Sequence, residues 1–148
     1  MVAWHERKVT TAVDTNVVIA LWDKDSTLNF AAQNALDRAF HRGNLVAAAP
    51  VFAELVAVSG RTETFIGSFF DETGIRVDGE RAEPIWRLAG RAFQAYAEGR
   101  RKQCGRGARR ILADFLIGAH ASANGYRLLT LDDGRYRAAF PALAIETF

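Results

Sequence analysis

The sequence predicts an α/β fold in which a central, largely parallel β-sheet is flanked by helices. Short β-like runs alternate with amphipathic helical runs along the whole chain, the pattern of a sheet whose strands are joined by helices. No internal repeat, low-complexity tract or linker interrupts that alternation. The 148 residues fit a single domain, 1–148, large enough to bury a core. The content of 49% hydrophobic and 24% charged residues is that of a globular protein.

Val9 to Asp14 reads as the first strand. Asn29 to His41 follows as a helix, because Ala32, Ala35, Leu36, Ala39 and Phe40 recur at helical spacing and Gly43 stands just beyond its end. Leu45 to Ala48 is a second strand, and Pro50 behind it suits the first turn of a short helix, where a missing N–H does no harm. Thr62 to Asp71 is helical, with Phe65, Ile66, Phe69 and Phe70 read as core rather than interface. Ile75 to Val77 is a short strand. The cleanest helix is Glu83 to Glu98, where Ile85, Leu88, Ala89, Ala92, Phe93 and Tyr96 form one continuous stripe. Arg110 to Asn124 forms another helix, and Gly125 is a natural stop for it. Arg127 to Leu131 reads as a strand, Arg135 to Phe140 as a helical turn and Leu143 to Thr147 as the last strand.

Composition excludes several classes. No apolar run reaches the ~18 residues that a membrane span needs, so no membrane association is expected. The leading MVAWHERKVTT carries charges where a signal peptide has its apolar stretch. One cysteine, Cys104, rules out an internal disulfide and a cysteine-based zinc site, which makes the reducing cytoplasm the expected compartment. His5, His41 and His120 are read as surface or helix residues, since no spacing groups them as ligands.

The net charge of +2 is uneven. Arg100, Arg101, Lys102, Arg106, Arg109 and Arg110 crowd a segment without an acid, so the rest of the chain carries a net charge of −4. A basic loop on an acidic body points to a polyanionic partner. A charge run is more often a solvated loop, yet the acidic body alone would repel RNA, which favours phosphate contact here.

Four acids stand in apolar settings. Asp14 is the single charge of TTAVDTNVVIAL, Thr10 to Leu21, with no basic neighbour in sequence. A lone buried carboxylate costs roughly several kcal/mol unless it is compensated. Glu54 is the one charge between Leu45 and Val58, and Asp114 the one acid between Ile111 and Ala121. Asp132 and Asp133 follow LLTL at a strand end. Each has an ordinary explanation: a cap for Asp14, a partner arginine for Glu54, the helix dipole for Asp114, a turn for Asp132 and Asp133. Together they converge, because in an open parallel sheet sites form beyond the carboxyl ends of the strands. Carboxylates brought together need protons or a cation. Hard oxygen ligands without cysteine or clustered histidine select Mg²⁺ or Mn²⁺, and such a site activates water against a phosphate.

The segments AVDTNVVIAL, PVFAELVAV and ADFLIGAHASANGYRLLTLDDGRYRAAFPALAI resemble, in order and over nearly the whole chain, the PIN-domain ribonucleases. Within them the likeness is to the VapC-type toxins of toxin–antitoxin pairs. The resemblance implies a PIN-like fold and an endoribonuclease that depends on Mg²⁺ or Mn²⁺. It implies that Asp14, Glu54, Asp114 and Asp132 are the catalytic and metal-binding acids, with Asp133 a less fitting substitute for Asp132. Asn16 and Thr130 match positions whose polar side chains orient the acids or the water. It further implies a homodimer inhibited by a cognate, VapB-like antitoxin. The leading MVAWHERK and the loop EGRRKQCGRGARR are longer than many members carry, which bears on substrate choice.

Two rival classes use some of the same residues. A Mg²⁺-dependent phosphoaspartyl domain, receiver-like or phosphatase, also places acids at strand ends, but it wants a lysine after a late strand, and the only lysines are Lys8, Lys24 and Lys102. A non-catalytic RNA-binding or interaction module accounts for the basic loop and leaves the four acids unexplained.

Overall fold

The computed structural model describes residues 9–79, 83–100 and 112–148. Its sheet has five strands: β1 (Thr11–Val13), β2 (Leu45–Ala48), β3 (Arg76–Asp78), β4 (Arg127–Leu129) and β5 (Ile145–Glu146), in the spatial order β3-β2-β1-β4-β5. Every pairing is parallel, with Ala12 of β1 opposite Val46 on one side and Leu128 on the other. The expected largely parallel sheet is therefore parallel throughout the described residues.

Around it lie α1 (Thr15–Trp22), α2 (Leu28–Arg42), α3 (Ala49–Val58), α4 (Glu63–Thr73), α5 (Glu83–Arg100), α6 (Leu112–Asn124) and α7 (Gly134–Ala139). From central β1 the next strand in sequence, β2, pairs on one side and β4 on the other. Such a switch in strand order opens a crevice beyond the carboxyl ends of the two strands concerned. Asp14 stands at the end of β1 and Thr130 at the end of β4.

Most elements fall where apolar spacing puts them. Pro50 sits in the first turn of α3, Thr62 caps α4 by accepting from Phe65 N, and Gly74 and Gly125 take positive φ just past α4 and α6. Ile85 and Ala89 of the α5 stripe are buried, and the rings of Phe93 and Tyr96 pack on Phe115 of α6 at 5.2 and 5.4 Å. In α4, Ile66 and Phe70 are buried core, whereas Phe65 is exposed.

Besides Phe65, which is expected in the core and lies exposed, three expectations are corrected. The first strand, expected over Val9 to Asp14, spans only Thr11–Val13, and the apolar stretch behind it, where no element is expected, is helix α1. Val17, Val18 and Ile19 are β-branched and favour strand locally, but α1 buries Val17, Val18 and Ala20, and that tertiary burial decides. Both its ends are also satisfied: Asp14 caps the start, and Asn29 Nδ2 donates to the carbonyls of Ala20 and Leu21 at 3.0 and 2.9 Å. The last two strands are shorter than their apolar runs, stopping at Leu129 and Glu146. His120 is a helix residue but no surface one; it is buried, with Nε2 2.8 Å from Asp78 Oδ2.

Gly118 of α6 faces α7. A Cβ there would lie 2.4 Å from the Phe140 ring and 3.1 Å from that of Tyr136. Only glycine lets the short helix carrying Arg135 and Tyr136 lie this close to the helix carrying Asp114. No helix among the described residues is long and apolar enough to cross a membrane. Of the basic run, Arg100 is the last residue of α5, while Arg101, Lys102, Arg106, Arg109 and Arg110 lie outside the described residues.

Candidate active site

Asp14 is only 3% exposed, and what compensates it carries no charge. Its Oδ1 accepts from Thr15 N at 2.7 Å, and its Oδ2 accepts from Thr130 Oγ1 at 2.7 Å and Tyr136 OH at 3.0 Å. Its own N–H is spent on Leu129 O, which ties the end of β1 to β4. Burial pushes the carboxyl up to about 6, and the Asp114 charge adds to that; the three hydrogen bonds pull the other way.

Glu54 reaches the crevice from α3. Its partner is a hydroxyl rather than an arginine: Thr15 Oγ1 donates to Oε1 at 2.7 Å. Burial raises its pKa, with the Asp114 charge as a further cause. Asp114 enters from the first turn of α6, where it pairs with Arg135 and meets Tyr136 OH at 3.4 Å. Its pKa is also raised, because burial outweighs the attraction of Arg135. One oxygen from each of Asp14, Glu54 and Asp114 lies within 4.8 Å of the others. They line a cleft of about 230 Å³ together with Asp132 and Arg135.

Residues 11–141 match the family model of the PIN domain. The chain belongs to the PIN domain family. No curated protein matches it in sequence. Its fold is similar to that of VapBC2 from Rickettsia felis bound to a fragment of promoter DNA (TM-score 0.67, 18% identity, covering 95% of this chain and 99% of that one). It is likewise similar to VapBC-1 from nontypeable Haemophilus influenzae (TM-score 0.65, 16% identity, 94% and 98% covered). A third is DNA-bound VapBC from Salmonella typhimurium (TM-score 0.64, 14% identity, 94% and 98% covered).

In this PIN domain, Asp132 is exposed at the rim of the cleft, outside the close trio. Asp133 points elsewhere: it pairs with Arg137, whose hydrogen bond lowers its pKa, and it does not line the cleft. Thr130 is fully buried. Asn16 closes the turn between the two halves of the site, donating from Nδ2 to Thr130 Oγ1 at 3.3 Å and accepting from Leu131 N at 3.1 Å. It holds the donor that holds Asp14.

Three residues of the site carry little sequence signal: Thr15, Arg135 and Tyr136. Thr15 is visible only as part of a capping sequence, and a tyrosine in a short amphipathic turn reads as core. Tyr136 is indeed buried, at 3% exposure, but its hydroxyl bridges two carboxylates. Burial and the charges of Asp14 and Asp114 raise its pKa far above the ordinary value, so it stays a donor. Burial works against the Arg135 charge, but Asp114 outweighs it and the guanidinium stays protonated. An all-oxygen trio, with Asp14 and Glu54 fixed by neutral donors and Asp114 by Arg135, fits a hard divalent cation such as Mg²⁺ or Mn²⁺ rather than zinc.

Proposed function

We propose that this PIN domain is a Mg²⁺- or Mn²⁺-dependent endoribonuclease, the toxin of a VapBC-type pair, held inactive by a VapB-like antitoxin and working as a homodimer in the cytoplasm. The observation that carries this reading is the convergence of Asp14, Glu54 and Asp114 within 4.8 Å at the switch point of a parallel sheet. The toxin role is supported by structural likeness to VapBC complexes, whose names pair such a domain with a second component.

In this account Asp14, Glu54 and Asp114 hold the cation, and Asp132 at the rim completes the acidic set. When bound, the cation neutralises charge gathering on the scissile phosphate and makes water a competent nucleophile. Thr15, Thr130 and Tyr136 fix the carboxylate oxygens before substrate arrives, so orientation costs nothing during the reaction. Arg135 offsets part of the negative field through which a phosphate must approach. The basic run from Arg100 to Arg110, with Arg101, Lys102, Arg106 and Arg109, supplies further phosphate contacts.

The test is incubation of the purified chain with total RNA. Cleavage that needs Mg²⁺ or Mn²⁺ and stops with EDTA is the expected result. RNA left intact under every divalent-cation condition overturns the reading.

A further inference from the structure

Beyond the acidic cleft lies a second cavity of about 290 Å³, lined by Ile19, Trp22, Asp23, Val58, Ser59 and Arg61. The two cavities share Ile19 and Val58, so they adjoin and together trace a groove across these two side chains. Its walls follow two helices. Along α1, Thr15, Ile19 and Trp22 succeed each other at helical spacing; along α3 and just past its end, Glu54, Val58 and Arg61 do the same. Seven residues at the α-helical rise place the far end ~10 Å from the carboxylates.

Arg61 is exposed yet held in place. Its guanidinium stacks over the rings of Trp22 and Phe65, at 5.0 and 4.9 Å from their centroids, and donates to Trp22 O at 3.3 Å. Among the described residues it has no carboxylate within ion-pair distance, although Asp23 lines the same cavity. Capping the carbonyl end of α1 explains one of its N–H groups and leaves the others for a ligand. Ile19 and Val58 are 38% and 65% exposed, an apolar stretch between a site for a phosphodiester and a fixed cation.

We propose that this groove is the path of single-stranded RNA on one side of the scissile bond. Arg61 binds a flanking backbone phosphate, and Ile19 and Val58 pack beneath the intervening sugar and base. The inference rests on the ribonuclease reading of the acidic cleft. A groove ending in an arginine fixed by aromatic stacking suits an extended strand, and its adjoining the cleft of Asp14 and Glu54 sets the direction: metal at one end, phosphate anchor at the other.

The experiment measures binding of a short fluorescein-labelled single-stranded RNA by anisotropy across a salt series with Mg²⁺. It uses the full chain carrying Asp14→Asn, with and without Arg61→Gln, Arg61→Lys or Val58→Glu. Loss of one phosphate contact should weaken binding severalfold in Arg61→Gln and flatten the log–log salt slope by about 0.7. Arg61→Lys should keep most of the slope, which a merely structural role would not do. Val58→Glu, at an exposed wall position, should weaken binding by repulsion. Unchanged affinity and slope in Arg61→Gln overturn the proposal. Failure of the nuclease reading shows separately, as intact RNA with the unmutated chain.

Discussion

The hydroxyl of Thr130, beyond the end of β4, donates to Asp14 Oδ2 at 2.7 Å, joining two strands that neighbour each other only because the strand order switches at β1. The same oxygen accepts from Asp132 N at 3.2 Å and from Asn16 Nδ2 at 3.3 Å. Replacing Thr130 with valine keeps the volume and removes all of this. It should destabilise the chain by about 1–3 kcal/mol and weaken Mn²⁺ binding roughly tenfold. Denaturant midpoints and calorimetry check both; an unchanged Mn²⁺ affinity would mean that Thr130 does not orient Asp14.

Tyr136→Phe isolates the phenol. The ring stays packed against α6, so stability should fall by only about 1 kcal/mol. Asp14 and Asp114 lose their shared donor, and the rate of RNA cleavage should drop roughly tenfold or more. A Tyr136→Phe variant as active as the parent would reduce the hydroxyl to a packing feature.

The trio also sets a pH dependence. The folded pKa of Asp14, about 6, lies above its ordinary 3.8, and those of Glu54 and Asp114 are raised too. A raised carboxyl gives stability that is fully present below the unfolded value and lost as pH rises through the folded one. Without divalent cations the melting temperature should therefore fall between about pH 4 and pH 7, Asp14 alone contributing about 3 kcal/mol. Mn²⁺ should raise it more at about pH 7 than at about pH 5. A metal-free melting temperature that climbs over this range would contradict the buried-acid account.

Gly118→Ala tests the close approach of α6 and α7. Its Cβ would meet the Phe140 ring at 2.4 Å, and overpacking of this kind costs about 1–3 kcal/mol. Since Tyr136 lies on α7, activity should fall with stability. Thermal unfolding and cleavage measured on one preparation give both numbers.

How much of this was legible in the sequence depended on whether the deciding force was local. The α5 stripe, β2 and the Gly125 stop follow from spacing and backbone preference, and they stand in the structure as read. Helix α1 does not, because Val17, Val18 and Ile19 pull toward strand until the sheet and its neighbouring helices bury them. The acids were conspicuous as charges among apolar residues. Asp14, Glu54 and Asp114 meet in the cleft, while Asp132 stands at its rim. Their donors were not conspicuous: Thr15, Tyr136 and Arg135 become site residues only when α1, α3, α6 and α7 meet. The pairing of buried His120 with Asp78, across 42 positions, was equally out of reach, since nothing in either segment names the other.

At the centre stands the claim that Asp14, Glu54 and Asp114 form one cation site. Calorimetric titration of Mn²⁺ into the parent chain and into Asp14→Asn, both shown to be folded by thermal melts, tests it most directly. The parent should give a saturable binding heat, and Asp14→Asn should lose it. Equal Mn²⁺ binding by the two chains would contradict the claim.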